Sequence, residues 1–189
     1  MKQGFVKVAA ASCAVAVADV RENTRVILET IHKMEDEGAK VMVLPELALT
    51  GYTCSDLFWQ SQMIDAAKEG LKEIADGTKG TDALIFVGLP WEQGGKLFNV
   101  AAVLCHGELL GVVPKKYLPN YNEFYELRHF TPGKEAVTTT EFFGKEVPFG
   151  MNLLFQCAEM PRLKVAAESA RISGPRIRRV WRMPWPVRQ

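Results

Sequence analysis

Two residues of opposite charge stand at the ends of apolar runs. Glu46 follows Val41–Leu44 and Pro45 in the stretch VMVLPELALTGY. Four apolar residues without polar alternation read as a strand covered on both faces. Pro45 has no N–H for a ladder, so the strand is expected to stop there and leave Glu46 at its tip. A carboxylate partly withdrawn from water suits proton transfer. Position alone also fits an ordinary solvated strand-end glutamate. Lys115 sits in the same way after the apolar run Leu109–Val113 and Pro114. If the two strands are neighbours, the lysine can stabilise an oxyanion while the glutamate acts as base. The segment Pro114–Glu126, PKKYLPNYNEFYE, then crowds Tyr117, Tyr121, Phe124 and Tyr125 around Glu123 and Glu126. Rings and carboxylates together could line a small pocket for a cationic or amide group. Their spacing equally allows a surface loop with a packed aromatic cluster.

The elements that must position these groups alternate early and pair in hairpins later. Phe5–Val17 reads as a buried first strand. Asn23 is a plausible N-cap for a helix carrying Ile27, Leu28, Ile31 and Met34, closed by Gly38. Residues 53–59 read as a loop, and Met63, Ile64, Ala67, Leu71 and Ile74 mark a second helix that ends near Gly77. Ala83–Leu89 is an all-apolar strand. Gly94-Gly95 turns it into Phe98–Cys105, and Gly107-Glu108 turns that run into Leu109–Val113. A long irregular segment is expected from Lys115 to about Thr140, followed by strands at Leu153–Cys157 and Leu163–Ala167. The pattern specifies an α/β layered fold with a mixed sheet.

The chain has 189 residues, a hydrophobic content of 48% and a formal net charge of +1. A balance so near neutral gives no reason to expect a nucleic-acid or membrane partner. No apolar run reaches the length of a membrane span. Lys7 and Asp19 break the apolar N-terminal stretch, which argues against a signal peptide. A cytoplasmic location is expected. The four cysteines (Cys13, Cys54, Cys105, Cys157) and three histidines (His32, His106, His129) are dispersed, so neither a disulfide framework nor a metal site is expected. The cysteines read as buried and inert. Residues 169–189 differ from the rest: six arginines and no acidic residue, leaving 17 basic against 22 acidic residues upstream.

The phrases LPELALTGYTCSDLF and YLPNYNEFYE resemble the nitrilase, or carbon–nitrogen hydrolase, superfamily. More narrowly, they resemble its glutaminase domains attached to bacterial NAD synthetases, and the likeness runs along residues 5–168. The resemblance implies a nitrilase-like α-β-β-α sandwich and a Glu–Lys–Cys triad that hydrolyses an amide through a thioester. By position, Glu46 is then the general base and Lys115, rather than Lys116, the oxyanion-stabilising lysine. Tyr52, Tyr121, Phe124 and Glu126 would shape a glutamine pocket, with Glu126 facing the substrate's α-amino group. The implied function is glutamine hydrolysis that supplies ammonia for NAD synthesis from nicotinic acid adenine dinucleotide. The implied partners are glutamine, a synthetase domain and further copies of the chain. No cofactor is expected in residues 1–168, since ATP and Mg belong to the synthetase domain, which this sequence lacks.

The resemblance also exposes a departure. Where the family phrase reads Glu-Ile-Cys-Glu-Asp-Leu-Trp, this chain continues from Glu168 with Ser169-Ala170-Arg171-Ile172-Ser173-Gly174. Ala170 occupies the cysteine's place and carries no nucleophile. Ser169 is expected to point to the other side of an extended chain. Codons can be chosen for Ser169–Gly174 that, with one added base ahead of them, read Ile-Cys-Glu-Asp-Leu-Trp. Residues 169–189 are therefore expected to be an aberrant, out-of-frame tail without a packed place, the sandwich incomplete at its C-terminus and the chain inactive. The competing readings are a non-catalytic fragment that binds a partner, a natural basic tail, and another carbon–nitrogen hydrolase such as a carbamoylase.

Overall fold

The apolar runs pair into one sheet that carries helices on one face and a second sheet on the other. A computed structural model describes residues 4–169 and 181–185. The strands of the large sheet are β1 (Val8–Ala10), β2 (Val41–Val43), β3 (Leu84–Gln93), β4 (Lys96–Cys105), β5 (Glu108–Pro114), β6 (Thr138–Phe142) and β7 (Lys145–Phe149). Their spatial order is β1-β2-β3-β4-β5-β7-β6. β1, β2 and β3 are parallel, and β3, β4 and β5 form antiparallel hairpins. Helices α1 (Val20–Asp36) and α2 (Ser61–Gly77) make the parallel crossovers.

Alternation along β3 shows how both faces are filled. Ile85, Val87, Leu89 and Trp91 join Ile27, Ile31, Ala67, Leu71 and Ile74 of the helices in one cluster. Leu84 and Phe86 point the other way, into a cluster with Val103, Val113, Leu153 and Phe155. That second cluster lies against a small sheet of β8 (Leu153–Cys157), β9 (Lys164–Val165) and β10 (Trp181–Trp185), in the order β10-β8-β9. The described residues thus supply helix, sheet and sheet layers of the sandwich. Among them no helix is long and apolar enough to cross a membrane.

The structure corrects several boundaries. The first strand is three residues long, and α1 begins at Val20, capped by the Asp19 carboxylate, which accepts from Glu22 N at 3.0 Å. Asn23 is instead buried inside the first turn. Its amide donates to Ala16 O (2.8 Å) and Leu49 O (3.0 Å), and its Oδ1 accepts from Ala16 N (2.8 Å). It fastens the segment before α1 to the segment after Glu46. The stretch expected to be irregular holds a short helix, α3 (Glu126–His129), and runs into an unforeseen β6–β7 hairpin. That hairpin turns at Phe143 and Gly144, both at positive φ, the twist that two-residue hairpins favour.

The expectation for the C-terminal tail also changes. Residues 181–185 form a strand parallel to β8, with Trp181 opposite Leu153 and Trp185 opposite Cys157. A ladder is made by backbone groups, so a segment without hydrophobic period can still fill an open strand edge. Residues 170–180 and 186–189, Ala170 among them, lie outside the described residues.

Asn23→Ala should lower stability by about 1–3 kcal/mol, because it strands the buried Leu49 carbonyl and the half-buried carbonyl and N–H of Ala16. Chemical denaturation measures it, and a loss below about 0.5 kcal/mol would mean that the segment is fastened elsewhere.

Candidate active site

Glu46 and Lys115 belong to strands that are not adjacent, since β3 and β4 lie between β2 and β5. They meet because the chain after β2 folds across β3 at Gly88. A methyl group on Gly88 would stand 2.4 Å from Pro45 O, 2.6 Å from Leu47 N and 2.9 Å from the Glu46 Cα. Only a residue without a Cβ lets this crossing close. Leu47, the next residue after Glu46, takes a left-handed backbone with φ of 50° and is fully buried. For a residue with a Cβ that conformation costs roughly 1–2 kcal/mol. Burial in the cluster of Leu47, Cys54, Phe58, Met63 and Phe130 holds it there. Pro45 follows β2 closely, as the sequence requires, and the next residue enters the site.

The Lys115 side chain is 3% exposed and sits between two carboxylates. Its Nζ is 2.8 Å from Glu46 Oε1 and 2.8 Å from Glu126 Oε1. The Tyr52 hydroxyl donates to the same Glu126 oxygen at 2.9 Å. Asn99, 2% exposed on β4, donates its side-chain amide to Glu46 Oε1 at 2.5 Å, and its main-chain carbonyl accepts the main-chain N–H of Lys115 at 2.8 Å. On the open side the Ser169 hydroxyl lies 3.5 Å from Glu46 Oε2. The Glu46 side chain is 32% exposed, so of the two carboxylates on Lys115 it is the one that faces solvent.

Most of the residues expected at the site come together, with two changes of place. Tyr52 and Tyr121 are half-exposed and stack edge-on against Phe124, at 6.3 Å and 5.7 Å between ring centroids, forming a rim beside the charges. Glu126, expected on the pocket wall, lies deeper, 5% exposed behind Lys115. Its Oε1 already accepts two donors, and its Oε2 is buried with no hydrogen-bond partner among the described residues. Ser169, expected to point away, reaches the site because β9 ends at Val165 and strand alternation no longer governs residues 166–169. Lys116 turns outward to Glu135 at 3.1 Å and plays no part.

Cys54 is close in sequence but not in chemistry. Its Sγ donates to Thr50 O at 3.0 Å, and burial pushes its thiol pKa up, the opposite of what a nucleophile needs. Burial, then the hydrogen bond to Glu126, pushes the Tyr52 hydroxyl well above its usual range, so it stays a proton donor. Asn99 was not singled out by its sequence. The available signal was one amide inside the apolar run Phe98–Cys105, where a buried polar side chain must find a partner.

Comparison with known proteins places this geometry in a class. The family model for carbon–nitrogen hydrolases matches residues 7–165, and the chain belongs to that family. Among its relatives is a glutamine-dependent NAD(+) synthetase of Mycobacterium bovis, 36% identical over 160 residues, which cover 85% of this chain and 24% of the relative. The crystal structure of a glutamine-dependent NAD(+) synthetase from Cytophaga hutchinsonii superposes with a TM-score of 0.75 at 28% identity, over 82% of this chain and 28% of that one. An amidase from Nesterenkonia sp. shares the fold, with a TM-score of 0.61 at 23% identity over 82% of this chain and 57% of that one. The chain spans about a quarter of the length of the synthetases it matches.

Two measurements follow. Lys115→Met leaves two carboxylates facing each other without a cation and should cost about 3–5 kcal/mol of stability, read by denaturant unfolding. Tyr52 has a raised pKa in the fold, so the folded state holds its proton more tightly than the unfolded chain. Its contribution is complete below the unfolded value of ~10 and fades as pH rises above it. Tyr52→Phe should flatten the fall of stability above pH ~10, and an unchanged slope would show that other groups produce it.

Proposed function

We propose that this chain carries the amide-hydrolysing site of a glutaminase, in which Glu46 is the general base and Lys115 holds the developing oxyanion. The observation that carries the reading is the Lys115 ammonium fixed 2.8 Å from each of two carboxylates at the end of an otherwise apolar sheet. A donor already held in place between two carboxylates can stabilise an oxyanion without reorganisation. Glu46 Oε2, on the open side, is placed to take a proton from an attacking group. Glu126 acts on Lys115 as its second counter-charge, while Tyr52, Tyr121 and Phe124 give the rim against which the glutamine side chain lies. The relatives' names, at 36% identity, support glutamine as the amide and NAD synthesis as the destination of the ammonia. In that reading the ATP- and Mg-dependent step belongs to a synthetase domain, and assembly into oligomers follows the family.

The reading includes a loss. By position Ala170 replaces the cysteine nucleophile, and without a thiol Glu46 has nothing to deprotonate. Removing one member of such a unit takes away most of the rate. Ala170→Cys alone is expected not to restore turnover, since the residues after it also depart from the family phrase.

Ammonia release from glutamine tests this on the 189-residue chain, on Ala170→Cys and on a gene with one base restored ahead of codon 169. Turnover is expected only from the last. Turnover by the chain itself, abolished by Ser169→Ala, would overturn the inactive reading and make Ser169 the nucleophile. A frame-restored protein that hydrolyses N-carbamoyl amino acids in preference to glutamine would make the chain a carbamoylase instead.

A further inference from the structure

Two donors end on one oxygen of Glu46 while its other oxygen faces the open side. Lys115 Nζ and Asn99 Nδ2 both meet Oε1, at 2.8 Å and 2.5 Å, and Oε2 meets the Ser169 hydroxyl at 3.5 Å. A carboxylate held by Lys115 alone can turn about its last torsion and offer either oxygen, because that torsion is broad and two-fold. A second donor from a different direction removes that freedom. We infer that Asn99 is the positioning residue that decides which oxygen of Glu46 is the base: with Lys115 it occupies Oε1 and turns Oε2 toward the segment that follows β9.

Three observations support the assignment. Asn99 is 2% exposed in a strand whose neighbours Phe98 and Val100 are apolar core residues. An amide there is expensive to bury unless it is hydrogen-bonded, and Glu46 provides that bond. Second, the main-chain carbonyl of Asn99 accepts the main-chain N–H of Lys115 at 2.8 Å, so the amide side chain reaches Glu46 from a residue whose backbone is bonded to that of Lys115. Third, an amide donates without charge. A lysine or arginine at this place would add a second cation beside Glu46 and weaken it as a base, and an aspartate would repel it. Asn99 touches no reacting atom and acts through Glu46.

The inference rests on Glu46 being the base, and its test does not require turnover. The 189-residue chain is prepared with glutamate labelled with 13C at the side-chain carboxyl, and the Glu46 band is isolated by infrared difference against Glu46→Gln. The splitting between antisymmetric and symmetric carboxylate stretches depends on how the donors are divided between the two oxygens. Asn99→Ala should shift that splitting, and Asn99→Ser, too short to reach Glu46, should shift it the same way if the alanine variant does not fold. In parallel, Asn99→Ala should raise the unfolding constant about tenfold to a hundredfold, as expected for losing a hydrogen bond to a charged group. In a Glu46→Ala background the same change should raise it by less than about threefold, the mark of a coupled pair. An unmoved band together with equal costs in both backgrounds would reduce Asn99 to a structural amide and overturn the inference. A chain that fails every glutamine assay but shows the band shift and the coupling leaves the Asn99 assignment standing and sinks only the proposed activity.

Discussion

The burial of one ammonium group dictates the arrangement of the rest. Lys115 is 3% exposed, and an isolated cation taken that far from water costs several kcal/mol even after relaxation. Two carboxylates at 2.8 Å offset this, and one of them, Glu126, is itself almost fully buried. Neither partner is local: Glu46 is 69 residues from Lys115, and Glu126 arrives through the aromatic loop after it. The fold therefore has to deliver two distant chain segments to one strand end. Asn99 and the Tyr52 hydroxyl complete the same set of bonds, so the cluster is specified by the sheet, the loop after β2 and the loop after β5 together.

Delivery depends on packing away from the charges. The loop after β2 crosses β3 where Gly88 leaves no side chain, and Leu47 keeps its left-handed backbone because its side chain is enclosed. Phe130 enters the same cluster as Leu47, Cys54 and Phe58. It anchors the end of α3 and so the position of Glu126 four residues earlier. Arg128 adds a two-pronged bond to Asp56, 3.0 Å for each prong, tying α3 to the turn at Ser55–Trp59. One apolar cluster thus fixes both carboxylates, although they come from opposite sides of Lys115.

These constraints explain what was legible in the sequence. The run Ala83–Leu89 lacks polar residues because both faces of the sheet are covered there, whereas Val43 in Val41–Leu44 is 44% exposed and only one side of that run is enclosed. The strands and the Glu46–Lys115 meeting could still be read from hydrophobic pattern and from resemblance. The depth of Glu126 could not, since its spacing from Lys115 does not say whether the intervening loop folds back. Asn23 looked like a cap because it is an asparagine ahead of a helical period, and tertiary contacts to Ala16 and Leu49 claimed it instead. Ser169 was misplaced by assuming that β9 continued. The β6–β7 hairpin was missed because its turn, Phe143-Gly144, lacks the asparagine or aspartate that usually announces one.

The order in which the site is assembled along the chain separates its folding from the chemistry proposed for it. Among the described residues, both acceptors that Lys115 Nζ reaches, Glu46 and Glu126, lie ahead of β8 and β9. Glu46, Asn99 and Lys115 satisfy one another whether or not a thiol stands at position 170. Selection for folding and selection for chemistry therefore act on the same side chains, and the first does not lapse when the second does. Glu46 and Lys115 keep their geometry because an unpaired Lys115 would be costly to the fold whatever the site does. Only the open side, where Glu46 Oε2 meets Ser169 at 3.5 Å, lies outside this mutual pairing of charges.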